Sequence, residues 1–214
     1  MILATNTGGQ DFAPIPAGTY PARCYSMIHI GTCKENFMGE DKMMNKVRIT
    51  WELPTEMKVF KAELGEQPCA ISKEFTLSMH EKANLRKFLE GWRGKGFTED
   101  EAKSFDITKL LGVPCMISVI HKVSKAGKTF AEISSVSAMP RGYVCPDLIN
   151  PLYEFSYENF DEDKFNKLPD WIKDKMRTSQ EYHKAMYPSE SNMNNDFPPP
   201  PPIDLFLNND DLPF

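Results

Sequence analysis

The sequence predicts a mainly β protein, a small five-stranded barrel with one helix between its third and fourth strands, followed by an acidic tail. Three observations carry that prediction. Apolar residues recur with a period of two in five short runs, and the period changes to about 3.6 once, between the third and fourth runs. The charge also divides along the chain. Residues 1–145 hold 19 Lys and Arg against 16 Asp and Glu, a balance of +3, and residues 146–214 hold 6 against 14, a balance of −8, which together give the −5 of the whole chain.

After an N-terminal extension over residues 1–16, the run from Gly18 alternates. Ala22, Cys24, Ile28 and Ile30 fall on one face, and Arg23, Tyr25, Met27 and His29 on the other. The second run sets Val47, Ile49, Trp51 and Leu53 inward and Lys46, Arg48, Thr50 and Glu52 outward, and Pro54 should end it. Between the two, Thr32 to Asn45 reads as a loop turning at Gly39 and carrying Lys34, Phe37 and Lys42. A third strand, Ala70 to Leu77, carries Lys73 and Phe75.

Ser78-Met79-His80-Glu81 then has the form of a capping box, and Leu85, Phe88, Leu89 and Trp92 make a stripe at helical spacing that serves packing. Gly94 and Gly96 end that helix, and Thr98 with Glu101 forms a second possible cap. Strand patterning resumes at Val113 and again at Lys128, joined by a glycine hairpin at Gly127 that is flanked by Lys122, Lys125 and Lys128. Three strands, a helix and two strands, with no repeated βαβ unit, fit an OB-fold, the five-stranded Greek-key barrel, over residues 17–145. An α+β sandwich of other topology is the alternative.

Residues 146–187 read as a C-terminal extension. Leu168-Pro169-Asp170-Trp171 looks like a helix start, with Ile172, Met176 and Met186 on an apolar side. Residues 188–214 hold Glu190, Asp196, Asp204, Asp210 and Asp211 around the run Pro198 to Pro202, with no Lys or Arg. So little apolar area cannot offset ordering entropy, and a disordered tail, partly extended by its prolines, is expected.

Function classes narrow in the same way. The chain lacks a basic leader followed by an apolar run, and no stretch of about 18 apolar residues occurs, so a cytosolic protein is expected, neither secreted nor membrane-spanning. The five cysteines, Cys24, Cys33, Cys69, Cys115 and Cys145, form no C-x-x-C pair and read as reduced thiols. Cys115, His121 and Cys145 make the one composite metal set imaginable, without a signature spacing. With no phosphate loop, nucleophile elbow or zinc helix, neither an enzyme, a cofactor nor a small-molecule substrate is expected.

A nucleic-acid surface accounts better for the outward residues. Arg23, Lys46 and Arg48, with Lys34, Lys42, Lys73, Lys122, Lys125 and Lys128, could track a phosphate backbone, while Tyr25, Phe37, Phe75 and Phe130 are candidates to stack on unpaired bases. The competing assignment makes the cations an ordinary solvated face and places Phe75, Phe130 and Trp51 in the core.

The chain stops on N-N-D-D-L-P-F, and these residues resemble the acidic tip of the bacterial single-stranded DNA-binding proteins. The stretches V-R-I-T-W-E-L-P and H-E-K-A-N-L-R-K-F-L-E-G-W-R-G-K resemble the single-stranded DNA-binding proteins of tailed phages. The resemblance implies an OB-fold core that binds single-stranded DNA in replication, recombination and repair, within a host bacterial cytoplasm if the chain is phage-encoded. It also implies that Asp210, Asp211, Leu212, Pro213 and Phe214 dock on partner proteins, with Phe214 in an apolar pocket and the carboxylates against a basic rim. The long basic loop, the inserted Thr98 to Leu111 segment and the helix near Trp171 depart from the bacterial pattern, so its tetramer is not implied. A replication or recombination interaction protein that binds DNA only weakly is the alternative function.

Overall fold

A computed structural model describes residues 13–37 and 39–187. The strands are β1 (Gly18–Phe37), β2 (Glu40–Lys61), β3 (Gly65–Thr76), β4 (Pro114–Val123), β5 (Thr129–Ser137) and β6 (Tyr153–Phe155). Five helices accompany them: α1 (Asn84–Arg93), α2 (Glu99–Lys103), α3 (Glu162–Lys167), α4 (Asp170–Arg177) and α5 (Gln180–Met186). The protein is mainly β. One antiparallel sheet in the order β3-β2-β1-β4-β5 curls until its ends approach, where Lys73 Nζ on β3 donates to Ile133 O on β5 at 2.7 Å. The expected tail and its tip lie outside the described residues, as does most of the N-terminal extension.

The inward residues expected of the second strand hold, since Val47, Ile49, Trp51 and Leu53 are all buried. Helix α1 lies against this core through Leu85, Leu89 and Trp92, while Phe88 packs on Phe75 and Trp51 at ring distances of 4.8 and 5.4 Å. Its approach to β5 is close. A Cβ at Gly91 would stand 2.7 Å from Val136 O, so no side chain fits there. The helix starts later than its expected cap: Ala83 precedes it without a side-chain cap, and Ser78 Oγ instead accepts from His80 N in a turn. The second box does form, with Thr98 Oγ1 accepting from Glu101 N and the Glu101 carboxylate accepting from Thr98 N, each at 3.2 Å.

Three local expectations need correction. Thr32 to Asn45 is no loop: β1 and β2 stay paired from Thr32↔Asn45 to Phe37↔Glu40 and project as an arm turning at Gly39. Beyond Cys33 the arm is largely exposed, with Lys34, Asn36, Glu40, Asp41, Lys42 and Met43 in solvent, so its ladder leaves no apolar alternation to detect. Pro54 does not end β2 either, because the pairing with β3 shifts register between Leu53 and Met57 and a proline inside a bulge costs no ladder donor. On β1, a register shift between Cys24 and Ser26 turns Met27 inward beside Ala22 and Cys24. Ile28 and Ile30 thereby face the opposite side.

That opposite side has its own core. Ile28, Ile30 and Cys33 are buried by Phe155, Phe165, Leu168, Ile172 and Met176, all from the C-terminal extension. The extension enters the sheet through β6, which pairs parallel to β1 over Ser26 to Ile28. Two cross-strand partners, Arg23 and Glu52, hold its start. Arg23 donates to the carbonyls of Pro146, Gly112 and Cys145 at 2.7, 2.9 and 3.0 Å. Glu52 is fully buried and accepts from Ile149 N, Asn150 N and Asn150 Nδ2 at 2.9, 2.9 and 2.6 Å.

Replacing Glu52 with Gln keeps the shape but gives up the charge that three donors meet, and hydrogen bonds to charged groups are each worth about 1.5–3 kcal/mol. Urea unfolding of Glu52→Gln is expected to show a loss of about 3 kcal/mol, the extension being released first.

The far end is held by Glu181 on α5, which accepts from Thr32 N and Thr32 Oγ1 at 2.6 and 2.7 Å. Burial opposes its ionisation, but the Thr32 bonds prevail and hold the carboxyl below the ordinary carboxylate range. A carboxyl depressed in the folded state contributes stability above its unfolded pKa, about 4.3, and loses it as the pH falls through the folded value. Amide exchange in α5 is therefore expected to accelerate below about pH 4, and Glu181→Gln should remove that pH dependence.

Candidate nucleic-acid interface

The extension packs on the outer face of β1, meets β2 at Glu52 and Arg48 and β3 at Glu74, and leaves a concavity of about 390 Å³ beside it. Tyr25 from β1, Arg48 from β2, Ser72 from β3, Tyr153 from β6 and Trp171 from α4 line it, with Lys167 among the residues around it. The Arg48 guanidinium lies 4.6 Å from the centre of the Trp171 ring and also donates to Glu74 at 3.4 Å. Thr50 and Ser72 face one another across the strands, their hydroxyls 2.9 Å apart.

Trp171 is 53% exposed, whereas Trp51 and Trp92 are 0% and 2% exposed. A half-exposed indole topped by a guanidinium offers a flat stacking surface and a positive charge at one place. Tyr25 adds a phenol kept neutral: burial raises its pKa, the Glu52 charge adds to this, and Arg48 opposes it. The site can thus hold a planar, electron-rich ring and an anion attached to it.

Among the expected DNA-contacting residues, Tyr25 and Arg48 are brought together. Arg23 is not available to a phosphate, because its guanidinium is used on the carbonyls of Gly112, Cys145 and Pro146. Phe75 belongs to the core at 4% exposure, where it packs on Phe88. Lys73 closes the sheet onto Ile133 O, with Glu132 at 3.9 Å. On the arm, Lys34 pairs with Asp41 at 2.8 Å and Lys42 with Glu40 at 3.0 Å, and the Phe37 side chain lies outside the described residues. Lys46 sits near Glu35, whose carboxyl is held low chiefly by its bond from Lys175, with burial opposing and Lys46 adding to the effect.

Lys122, Lys125, Lys128 and Phe130 occupy the β4–β5 hairpin. There Lys122 pairs with Glu132 at 2.7 Å, and Phe130 is exposed on the strand opposite Lys122. Because β4 pairs with the start of β1, at Gly18↔Val119, this hairpin lies beyond Gly18, about 23 Å of strand from Tyr25. The tip residues Asp210 to Phe214 lie outside the described residues.

Trp171 was absent from the expected site, though its sequence held a clue. Ile172 and Met176 form the buried stripe of α4, and Trp171 stands about 100° from it around the helix, so it has to face away from that core. What it faces depends on where α4 docks.

The imagined metal set does not assemble. His121 donates through Nε2 to Ile15 O at 2.8 Å, while Cys115 and Cys145 are buried elsewhere. Among the described residues no group of three or more His, Cys, Asp and Glu is placed to hold a metal ion. Burial pushes the Cys115 thiol up and the Cys24 thiol up to about 12, so neither offers a thiolate at neutral pH. Among the described residues no helix is long and apolar enough to cross a membrane. No protein-family model, curated protein or solved structure matches the chain.

Proposed function

We propose that this protein binds single-stranded DNA without sequence preference at the Tyr25–Arg48–Trp171 concavity, and that its C-terminal tip recruits proteins of replication, recombination or repair. The observation that carries the proposal is the exposed Trp171 beneath the Arg48 guanidinium, beside Tyr25, on the outer face of a curled sheet. Every base has a π face, so stacking there is indifferent to sequence, and the guanidinium neutralises the strand's phosphate. The strand order, the approach of β3 to β5 and the position of α1 between β3 and β4 support a barrel of OB type. No catalytic step is proposed, and the compartment that suits this role is the bacterial cytoplasm.

The proposal is tested by titrating the full chain with labelled oligo-dT and with duplex of equal length. Preference for the single strand is expected, and equal affinity for both would overturn it. Several cations already meet carboxylates, as in Lys34–Asp41, Lys42–Glu40 and Lys122–Glu132. About three phosphate contacts are therefore expected, which gives a log–log salt slope of about −2 for a single strand.

The same pairing favours a second reading, in which DNA binding is weak and recruitment through the tip is the main task. The tail separates the two. Tethered to the body, its carboxylates compete at high effective concentration with DNA for the cationic surface. Deleting Asp204 to Phe214 is expected to tighten oligo-dT binding several-fold at low salt and to abolish capture of partner proteins. Loss of capture with DNA affinity unchanged and weak would favour the second reading.

A further inference from the structure

A concavity larger than that of the DNA site lies elsewhere among the described residues. It measures about 1280 Å³, above the 300–1,000 Å³ usual for small-molecule pockets, and a segment of chain suits it better than a metabolite. Leu77, Met79, Phe105 and Ile107 contribute an apolar floor. Five carboxylates, Glu99, Asp106, Glu154, Glu158 and Glu181, line it against two lysines, Lys103 and Lys184, and of the five Glu99 is paired with Arg86 at 3.0 Å. Such a rim repels DNA, and it equally repels the tail, which carries five acidic residues and no Lys or Arg beyond residue 187. The groove calls for a basic segment with apolar side chains.

The molecule itself carries one. The β4–β5 hairpin exposes Val123 at 68%, Ile120 at 41% and Phe130 at 41%, interleaved with Lys122, Lys125 and Lys128. The finger stands apart from the groove of its own chain along β1, past the first residue of the strand, whereas the groove is lined from the middle of the strand. The finger extends beyond Gly18, while the groove is lined by Met27 and His29, about 30 Å further along the strand.

We propose that the β4–β5 finger of one copy docks in the acid-rimmed groove of the next, so that copies join head to tail. The contact is heterologous: each copy uses two different surfaces and leaves one of each open, so it propagates instead of closing in a symmetric pair. Apolar side chains on the finger meet the apolar floor, and Lys125 at its turn meets the carboxylate rim. This goes beyond the proposed DNA binding and does not rest on it. If that reading also holds, neighbouring copies on a strand bind it cooperatively.

The test uses two variants of the full chain and no DNA. Val123→Asp with Lys125→Glu spoils the finger, and Glu154→Lys with Glu158→Lys spoils the groove; all four positions are exposed, and unchanged circular dichroism and melting verify each fold. By sedimentation equilibrium, the wild-type mass is expected to rise with concentration above the 24.4 kDa of one chain and past that of a dimer. Each variant alone should stay monomeric. Their equimolar mixture should give a dimer that grows no further, since one intact finger then meets one intact groove. A monomeric wild type at all concentrations overturns the proposal, as do variants that associate like wild type. A mixture that stays monomeric also overturns it, in favour of a symmetric contact.

Discussion

A chain ended after Cys145 is expected to aggregate, whereas one ended after Tyr187 is expected to melt cooperatively at nearly the temperature of the full chain. By sequence patterning residue 145 closes a complete barrel, and the second core joins residues from both sides of that position. Removing the extension strips Phe155, Phe165, Leu168, Ile172 and Met176 from Ile28, Ile30 and Cys33, and takes β6 away from β1. At about 1.5–3 kcal/mol for each large side chain buried, five lost side chains amount to about 10 kcal/mol, the scale of a whole domain's stability. The residue left behind is an apolar strip along β1, open to other copies. Light scattering and differential scanning calorimetry of the two truncations decide the matter; a soluble, cooperatively melting 1–145 fragment would show that the extension is an appendage.

Trp171→Ala is expected to weaken oligo-dT binding by about 10- to 100-fold while leaving the melting temperature almost unchanged. Base stacking on an aromatic side chain is worth about 1–3 kcal/mol, and a half-exposed indole contributes little to the second core. Trp51 and Trp92 are buried, so quenching of tryptophan emission by DNA should be largely lost with Trp171. Arg48→Lys provides the companion measurement. A lysine keeps the charge but cannot stack as a guanidinium does, so the salt slope should persist while affinity falls. If Trp171→Ala binds as wild type and its emission is still quenched, the concavity is not where DNA lies.

Much of the fold was legible because it is written locally. A strand with one buried face shows it every second residue, and Val47, Ile49, Trp51 and Leu53 are all buried as their spacing predicts. Leu85, Leu89 and Trp92 show the same for a helix. The arm escaped detection because a solvated ladder is held by backbone bonds that any side chain permits. The bulge after Cys24 escaped because one inserted residue reverses every later side chain without changing composition.

The candidate site divides along the same line. Tyr25 and Arg48 were identified from their outward positions on neighbouring strands. Arg23 shared the pattern of Tyr25 and met another fate, since the carbonyls of Cys145 and Pro146, 122 and 123 residues away, and of Gly112, 89 residues away, reach it first. Thr50 and Glu52 likewise alternate as outward residues and are buried. On its own, the sequence determined the succession of the five long strands, the apolar stripe of α1, the inward face of β2 and the division of charge, all properties of neighbours along the chain. Only the tertiary structure decided that the extension folds back over the outer face, consumes Arg23 and Glu52 as its anchors and sets Trp171 under Arg48. Outward in an isolated strand means only away from one core, and whether a second core covers that side depends on residues that periodicity cannot relate.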